Sequence, residues 1–213
     1  MKVTYRTWDA DALAALAAAA TPNDWAAWRA GRKRIVLAGA DLSGGDLAGY
    51  NLADVDLAGA NLAGANLADA DLSRANLAGA DLAGATLDDV DLRQATLVRA
   101  RLAKATLHGA RLSGANLADA DLAGVYGLGV RLADCCLRRA ILRGAILRGA
   151  VADGADLRRA DCTGSDWTGA ALQGADLSDS DWRGAVLGGG VKMHNSIMAG
   201  VKGILIGGQH NGR

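Results

Sequence analysis

The stretch Ala60-Asn61-Leu62-Ala63-Gly64-Ala65-Asn66-Leu67-Ala68-Asp69-Ala70-Asp71-Leu72 decides the fold, because leucine returns every five residues with a small residue two places before it. Followed outward, the same frame runs from Leu37 to Leu187 as 31 units without insertion or deletion. Leu fills 26 of the centres; the exceptions are Gly127, Ala152, Cys162, Trp167 and Trp182. Ala stands two residues before the centre in 21 units, and Gly stands two after it in 19. Asp, Asn, Thr or Arg usually precedes the centre.

A period of five fits neither an α-helix nor a long strand. On a helix, successive leucines would advance by about 140° and spread over every face, leaving no dry stripe. Short extended segments joined by turns satisfy the pattern: the centre and the small residue before it point inward, and the other three positions face solvent. Gly two after the centre provides the positive φ that a type II turn needs. Asp at that position, as at Asp54 or Asp119, tolerates the same geometry, whereas Arg74, Arg99, Arg139 and Arg159 predict a different turn. A local bulge or kink is expected at Val125-Tyr126-Gly127-Leu128-Gly129, and Trp167 and Trp182 predict a column that widens or ends near its C-terminal side.

The strings Ala60-Asn61-Leu62-Ala63-Gly64, Ala65-Asn66-Leu67-Ala68-Asp69 and Ala80-Asp81-Leu82-Ala83-Gly84 resemble the A(D/N)LxX signature of the pentapeptide-repeat family. The resemblance implies an all-β solenoid, a right-handed quadrilateral β-helix with four units per coil, so that residues 20 apart stack. At a strand spacing of about 4.8 Å the repeats would form a rod roughly 37 Å long. A column one leucine wide leaves little room for rings, in keeping with the absence of Phe and an aromatic content of 4%. No coil is stable alone, and neighbours supply the stability.

Three divisions follow: an α-helical N-terminal cap over residues 1–34, the repeat rod over 35–190, and an irregular coil, cap or dimerisation segment over 191–213. Asp9 or Asp11 is placed to cap a first helix, and Thr21-Pro22 to start a second. Leu13, Leu16, Trp25 and Trp28 would form their apolar underside on the first coil. The tail, with Met193, Ile197, Met198, Val201, Ile204, Leu205 and Ile206, holds only a trace of the frame. Because some family members dimerise through this end, the resemblance implies a head-on homodimer.

The chain shows no catalytic constellation. Its three histidines, His108, His194 and His210, lie in no motif, and His108 is expected on the solvated surface. Cys135 and Cys162 fall at inward positions while Cys136 points out; three cysteines without C-x-x-C spacing fit a reducing compartment, hence a cytoplasmic location. Asp9 and Asp11 before the Ala-rich stretch 12–20 speak against a secretion signal. Asp41, Asn61, Asp81, Asp121 and Asp161 share a face, and read as solvated or turn-bonded groups in preference to metal ligands. No enzyme activity, cofactor or metal is expected.

Charge is the remaining signal. The net formal charge is zero, with 23 basic residues against 23 acidic ones, and every acid is Asp. That balance removes the simplest argument for nucleic-acid or membrane binding. Residues 35–93 hold ten Asp and two Arg, whereas 94–160 hold eleven basic and five acidic residues. In the square arrangement Arg99, Arg138, Arg139, Arg158 and Arg159 share one face, Arg111 and Arg131 the next, and Asp46, Asp69, Asp88 and Asp89 another. These are the candidate partner-docking residues of a non-enzymatic interaction scaffold. The alternative implied by the resemblance is a DNA mimic that binds DNA gyrase or a related topoisomerase; the missing Phe and the neutral charge depart from the pattern of such relatives.

Overall fold

The computed structural model describes residues 10–32 and 35–204. The chain winds into a four-sided solenoid in which parallel bridges join residues 20 apart, from Val36↔Asp56 through to Asp166↔Val186. Side 1 holds Leu37 and its repeats at twenty-residue intervals, side 2 Leu42, side 3 Leu47 and side 4 Leu52. Each bridge is a single residue pair, so sheet structure takes the form of four ladders and not of long strands.

Hydrogen bonding explains why the unit has five residues of these types. Leu37 N–H donates to the Asp56 carbonyl of the next coil (2.7 Å) and Gly39 N–H to that of Ala58 (2.9 Å). Ala40 N–H closes the turn on the Leu37 carbonyl (3.0 Å), and Asp56 N–H reaches back to Ile35 (2.9 Å). The amide after the centre is left over, and the Asp or Asn before the centre accepts from it. Asn61 Oδ1 takes the N–H of Ala63 (3.2 Å), and Asp81 Oδ1 that of Ala83 (3.0 Å). The preference for Asp and Asn is therefore a solution to an orphan backbone donor.

The centres and the residues two before them form one continuous buried column. Burial of each leucine contributes about 1.5–3 kcal/mol, set against the entropy of fixing its unit. Four sequence expectations change. Arg74, Arg99, Arg139 and Arg159 adopt the same left-handed backbone as glycine, with φ of 56–58°. Their amides belong to the ladder, as in Arg74 N–H to the Arg93 carbonyl (2.9 Å), so the stack imposes the turn against a local preference of about 1–2 kcal/mol. No kink occurs at Gly127: its N–H reaches the Ile146 carbonyl (2.8 Å), and Thr106, Tyr126 and Ile146 bridge in sequence. A Cβ on Gly127 would lie 3.3 Å from Leu147, 3.4 Å from Leu107 and 3.5 Å from Val130, so neighbours already fill the space a leucine would take.

The ladders also pass Trp167 and Trp182 in register, and both rings are fully buried, 5.4 Å apart. Small centres stand close by in the winding: Ala152 closes the coil before Trp167, Cys162 precedes Trp167 in its own coil, and Cys162 lies one coil from Trp182 on side 2. Each indole N–H donates to a serine two residues before it, Trp167 to Ser165 (2.9 Å) and Trp182 to Ser180 (2.7 Å). Ser165 passes a hydrogen bond on to the Cys162 carbonyl (2.6 Å), and Ser180 does the same to Leu177.

Residues 191–204 correct the reading of an irregular tail. Gly190 is a single insertion, after which the five-residue frame resumes around Met193 and Met198. The bridges Ala171↔Lys192, Asp176↔Ile197 and Asp181↔Lys202 span 21 residues, and Asn195 and Gly200 take the positive-φ turn position. Leu205, Ile206 and His210 lie outside the described residues, as does Asp9.

Among the described residues two helices precede the rod, α1 (Ala10–Ala18) and α2 (Pro22–Arg29). Thr21 accepts from Asp24 N–H while Asp24 accepts from Thr21 N–H, a capping box with Pro22 in the first turn. Trp25 is fully buried, and its indole donates to the Asn51 carbonyl (2.7 Å). Arg29 donates to Asn51 and to the Ala53 carbonyl (2.8 Å), and Tyr50 Oη donates to the Ala19 carbonyl (2.9 Å). These bonds fasten the helices to side 4. Leu13 and Trp28 are partly buried against the core, and Trp28 stacks on Trp25 at 5.1 Å with Arg32 over its ring.

Candidate interaction face

Stacking places Arg138, Arg139, Arg158 and Arg159 on side 1, where with Asp179 they line an open groove of about 350 Å³. The structure also brings carboxylates that the charge count by segment did not associate with them. Arg139 holds Asp119 in a two-bond fork, Nε to Oδ1 at 2.6 Å and Nη2 to Oδ2 at 2.7 Å. Arg158 holds Asp156 likewise at 2.8 and 2.7 Å, and Arg138 reaches the same carboxylate at 3.4 Å. Looser contacts join Arg158 to Asp176 (3.6 Å) and Arg159 to Asp179 (3.7 Å). Hydrogen bonds from Arg139 and Arg158 hold the Asp119 and Asp156 carboxyls below the usual range. The basic face is thus a lattice of alternating charges, and an acidic partner must compete with internal carboxylates to use it.

Arg111 and Arg131 bridge on adjoining rungs of side 4. On side 3, Asp46 accepts from Ala48 N–H (3.3 Å) and Asn66 Nδ2 (2.9 Å), so it serves the ladder first. Asp69 and Asp89 sit at left-handed turn positions with φ of 58° and 54°. Asp88 accepts the N–H of His108 (3.0 Å), one coil on. Asp41 is held below its ordinary range chiefly by the Ser43 hydroxyl, and Asp81 pairs with Arg101 at 3.2 Å. Among the described residues no group of His, Cys and Asp has metal-binding geometry.

His108 departs from the expected solvated residue. It is half-buried, its Nδ1 accepts the N–H of Leu128 (3.3 Å), and its ring meets Tyr126 edge to face at 4.7 Å. Burial pushes the Cys135 thiol up to about 12, and the fully buried Cys162 is also raised; both remain thiols. Cys135 Sγ donates to the Leu112 carbonyl (2.9 Å), and Cys136 is half-buried.

The sequence reading missed the outward residues of coils five and six. From residue 126 to 151 the position before the centre reads Tyr126, Arg131, Cys136, Ile141, Ile146 and Val151, six units without the usual Asp or Asn. That break was visible in the sequence, and with Leu128 it exposes apolar surface.

A family model for pentapeptide repeats matches residues 35–74, 51–89, 85–124 and 135–170. The chain belongs to the pentapeptide repeat family. Its repeats resemble those of HetL, a pentapeptide repeat protein involved in heterocyst differentiation regulation in the cyanobacterium Nostoc sp. strain PCC 7120. Identity to HetL is 32% and the TM-score 0.54, over 79% of this chain and 84% of HetL. A pentapeptide repeat protein of the Arabidopsis thaliana thylakoid lumen is 34% identical over 44% of this chain and 68% of its own, with a TM-score of 0.28. QnrB1, a plasmid-mediated fluoroquinolone resistance protein, is 22% identical over 78% of this chain and 82% of its own, with a TM-score of 0.42. No curated protein matches the sequence. The pentapeptide match skips residues 125–134, the stretch around Gly127.

Proposed function

We propose that this pentapeptide repeat protein is a non-enzymatic interaction scaffold, a right-handed rod that presents patterned side faces to a protein partner. The observation that supports this most directly is the division of labour in each unit. Two positions build the core, while the outer positions vary in charge and polarity on an unbroken backbone ladder. The four-arginine groove of side 1 is the docking face in this reading, with Arg99, Arg111 and Arg131 extending it. Helices α1 and α2 act as the N-terminal cap. Free cysteines fit a cytoplasmic location. A head-on homodimer through the C-terminal end is part of the same proposal, supported by exposed Val186 and Ile197 near that end.

The test is capture of partners from native cells with wild-type protein and with Arg138, Arg139, Arg158 and Arg159 reversed to Asp. The scaffold reading expects a partner lost on reversal, and equal capture by both overturns side 1 as the docking face. A second reading, binding to DNA gyrase by an acidic surface, draws on the excess of Asp in residues 35–93. A supercoiling assay showing neither inhibition nor protection removes it.

A further inference from the structure

Five large hydrophobic side chains are exposed among the described residues: Tyr126, Leu128, Val151, Val186 and Ile197. Three of them fall between residues 126 and 151, and the first two are neighbours on side 3. Tyr126 is 41% exposed and Leu128 40%, and Ile146 stands on the next rung of the same column as Tyr126. In the coils before them those positions hold Thr86, Thr106, Asp88 and His108, so the sequence has exchanged polar surface for apolar surface at one level of the rod.

The exchange is held rigidly. The side chain that normally caps the amide after the centre is absent, because Tyr126 has no carboxylate or amide oxygen beside its Cβ. His108 takes over: its Nδ1 accepts from Leu128 N–H, and its ring braces Tyr126. Gly127 meanwhile stays in the ladder and leaves the column filled. The unit thus keeps its backbone while giving up a core leucine, and its distinctive side chains point outward.

Charge indicates what fits there. Residues 125–151 contain five arginines and one aspartate, and four of the arginines, Arg138, Arg139, Arg143 and Arg148, pair with Asp156, Asp119, Asp161 and Asp166 from outside that stretch. Arg148 lies on side 3 with the apolar pair, and Arg143 on the adjoining side 2; both side chains are largely exposed and anchored from the C-terminal side by Asp166 (2.6 Å) and Asp161 (2.5 Å). Preset aromatic and aliphatic groups rimmed by arginine suit a partner whose apolar side chains are flanked by carboxylates.

We propose that Tyr126, Leu128 and Ile146, with Arg143 and Arg148 at their rim and His108 beneath, form a docking surface for an acidic segment of another protein bearing large apolar side chains. This rests on the scaffold reading and names a face of the rod separate from the side 1 groove. Docking there buries the apolar pair and sets the partner's carboxylates beside guanidinium groups that Asp161 and Asp166 already order through Nε alone, so a second carboxylate meets the Nη edges with less entropy lost and less competition than at the two-bond forks of side 1.

The test is fluorescence anisotropy of the full chain with three labelled synthetic peptides, one alternating Asp with Leu and Trp, one alternating Asp with Ser, and one alternating Lys with Leu and Trp. The first peptide is expected to bind best. Its affinity should fall about tenfold in the double variant Tyr126→Thr, Leu128→Ala and several-fold in Arg148→Ser. Thr stands at the equivalent position in the two preceding coils, at Thr86 and Thr106, and Ala on the same side at Ala48 and Ala68, so the variant keeps the ladder; unchanged far-ultraviolet circular dichroism checks this. The proposal is overturned if the double variant binds as tightly as wild type, if either control peptide binds equally well, or if the first peptide fails to bind wild type. Binding lost on reversing Arg138 and Arg139 but kept in the double variant also overturns it, and leaves the scaffold reading intact.

Discussion

Residues 60–84 and residues 125–169 form the same ladder from different materials. In the first stretch five successive units have leucine centres, alanine before them, and an Asp or Asn that caps the following turn. In the second, four of nine centres depart from leucine, at Gly127, Ala152, Cys162 and Trp167, yet the bridges continue without a change of register. The backbone ladder, not the identity of each centre, therefore sets the shape of the rod. The core requires only that volume lost at one unit be returned nearby, by Val125 and Val130 around Gly127, or by Trp167 beside Ala152 and Cys162. Variation of the interior is local, and variation of the exterior is nearly free.

The sharpest way to break this equivalence is to remove volume where nothing returns it. Leu77→Ala, in the regular stretch between leucines of adjacent coils, is expected to destabilise by about 2–5 kcal/mol, read as a lower denaturant midpoint. A loss under about 1 kcal/mol would show that the regular column relaxes as readily as the irregular one. The converse is Gly127→Leu, which restores the consensus centre but meets Leu107, Leu147 and Val130. Overpacking of about 1–3 kcal/mol is expected, and Gly127→Leu with Val130→Ala should recover most of it. Stabilisation by the single change would mean that the site is an unfilled void.

A smaller effect separates the tryptophan units from the rest. Ser180→Ala leaves the Trp182 indole N–H without its acceptor in a dry column, at a cost of about 1–2 kcal/mol. Alanine is the commonest residue at this position elsewhere in the rod, so a consensus argument expects the opposite sign. Thermal unfolding of Ser180→Ala, alone and with Trp182→Leu, decides between them: the penalty should vanish in the double variant.

Much of this was legible in the sequence, because a five-residue period excludes an α-helix and a long strand and fixes which residues face inward, and the resemblance to pentapeptide repeats supplied the square coil. The parts that were not legible depend on the stack. Arg74 and Arg139 read locally as residues unsuited to positive φ, but the ladder above and below dictates their backbone. One inserted glycine, Gly190, hid the resumption of the frame at Met193, since a pattern counted strictly in fives loses phase after a single insertion. Apart from Arg158 with Asp156, the ion pairs of side 1 join residues 18 to 20 apart in sequence, so a charge tally by segment saw a basic face where the structure interleaves acids. The repeated Ser-Asp-Trp of residues 165–167 and 180–182 was in view, and only geometry shows why serine accompanies tryptophan. The apolar stretch at 126–151 was equally in view, as a missing Asp or Asn, and needed the exposure of Tyr126 and Leu128 to acquire meaning.

The smallest expected effect tests the exterior. Arginine holds the carboxyls of Asp54, Asp91, Asp119 and Asp156 below 3.8, and Asp181 falls to about 2 beside Arg183. A carboxyl that is more acidic folded than unfolded adds stability that is fully present above about pH 5. That stability is lost as pH falls through the depressed values towards 2, when the folded state must take up the same protons. The unfolding midpoint should therefore stay level from neutral pH to about 5 and then decline, less steeply in high salt because these pairs are exposed. Asp119→Asn, Asp156→Asn and Asp181→Asn combined keep the side-chain oxygens but remove three of the five charges. Asn also tolerates the left-handed backbone at position 119. The triple variant should start slightly less stable at neutral pH and show a shallower acid decline. If its decline matches that of wild type, these ion pairs contribute nothing to the rod, and the charge lattice of side 1 is free to serve a partner at no cost to the fold.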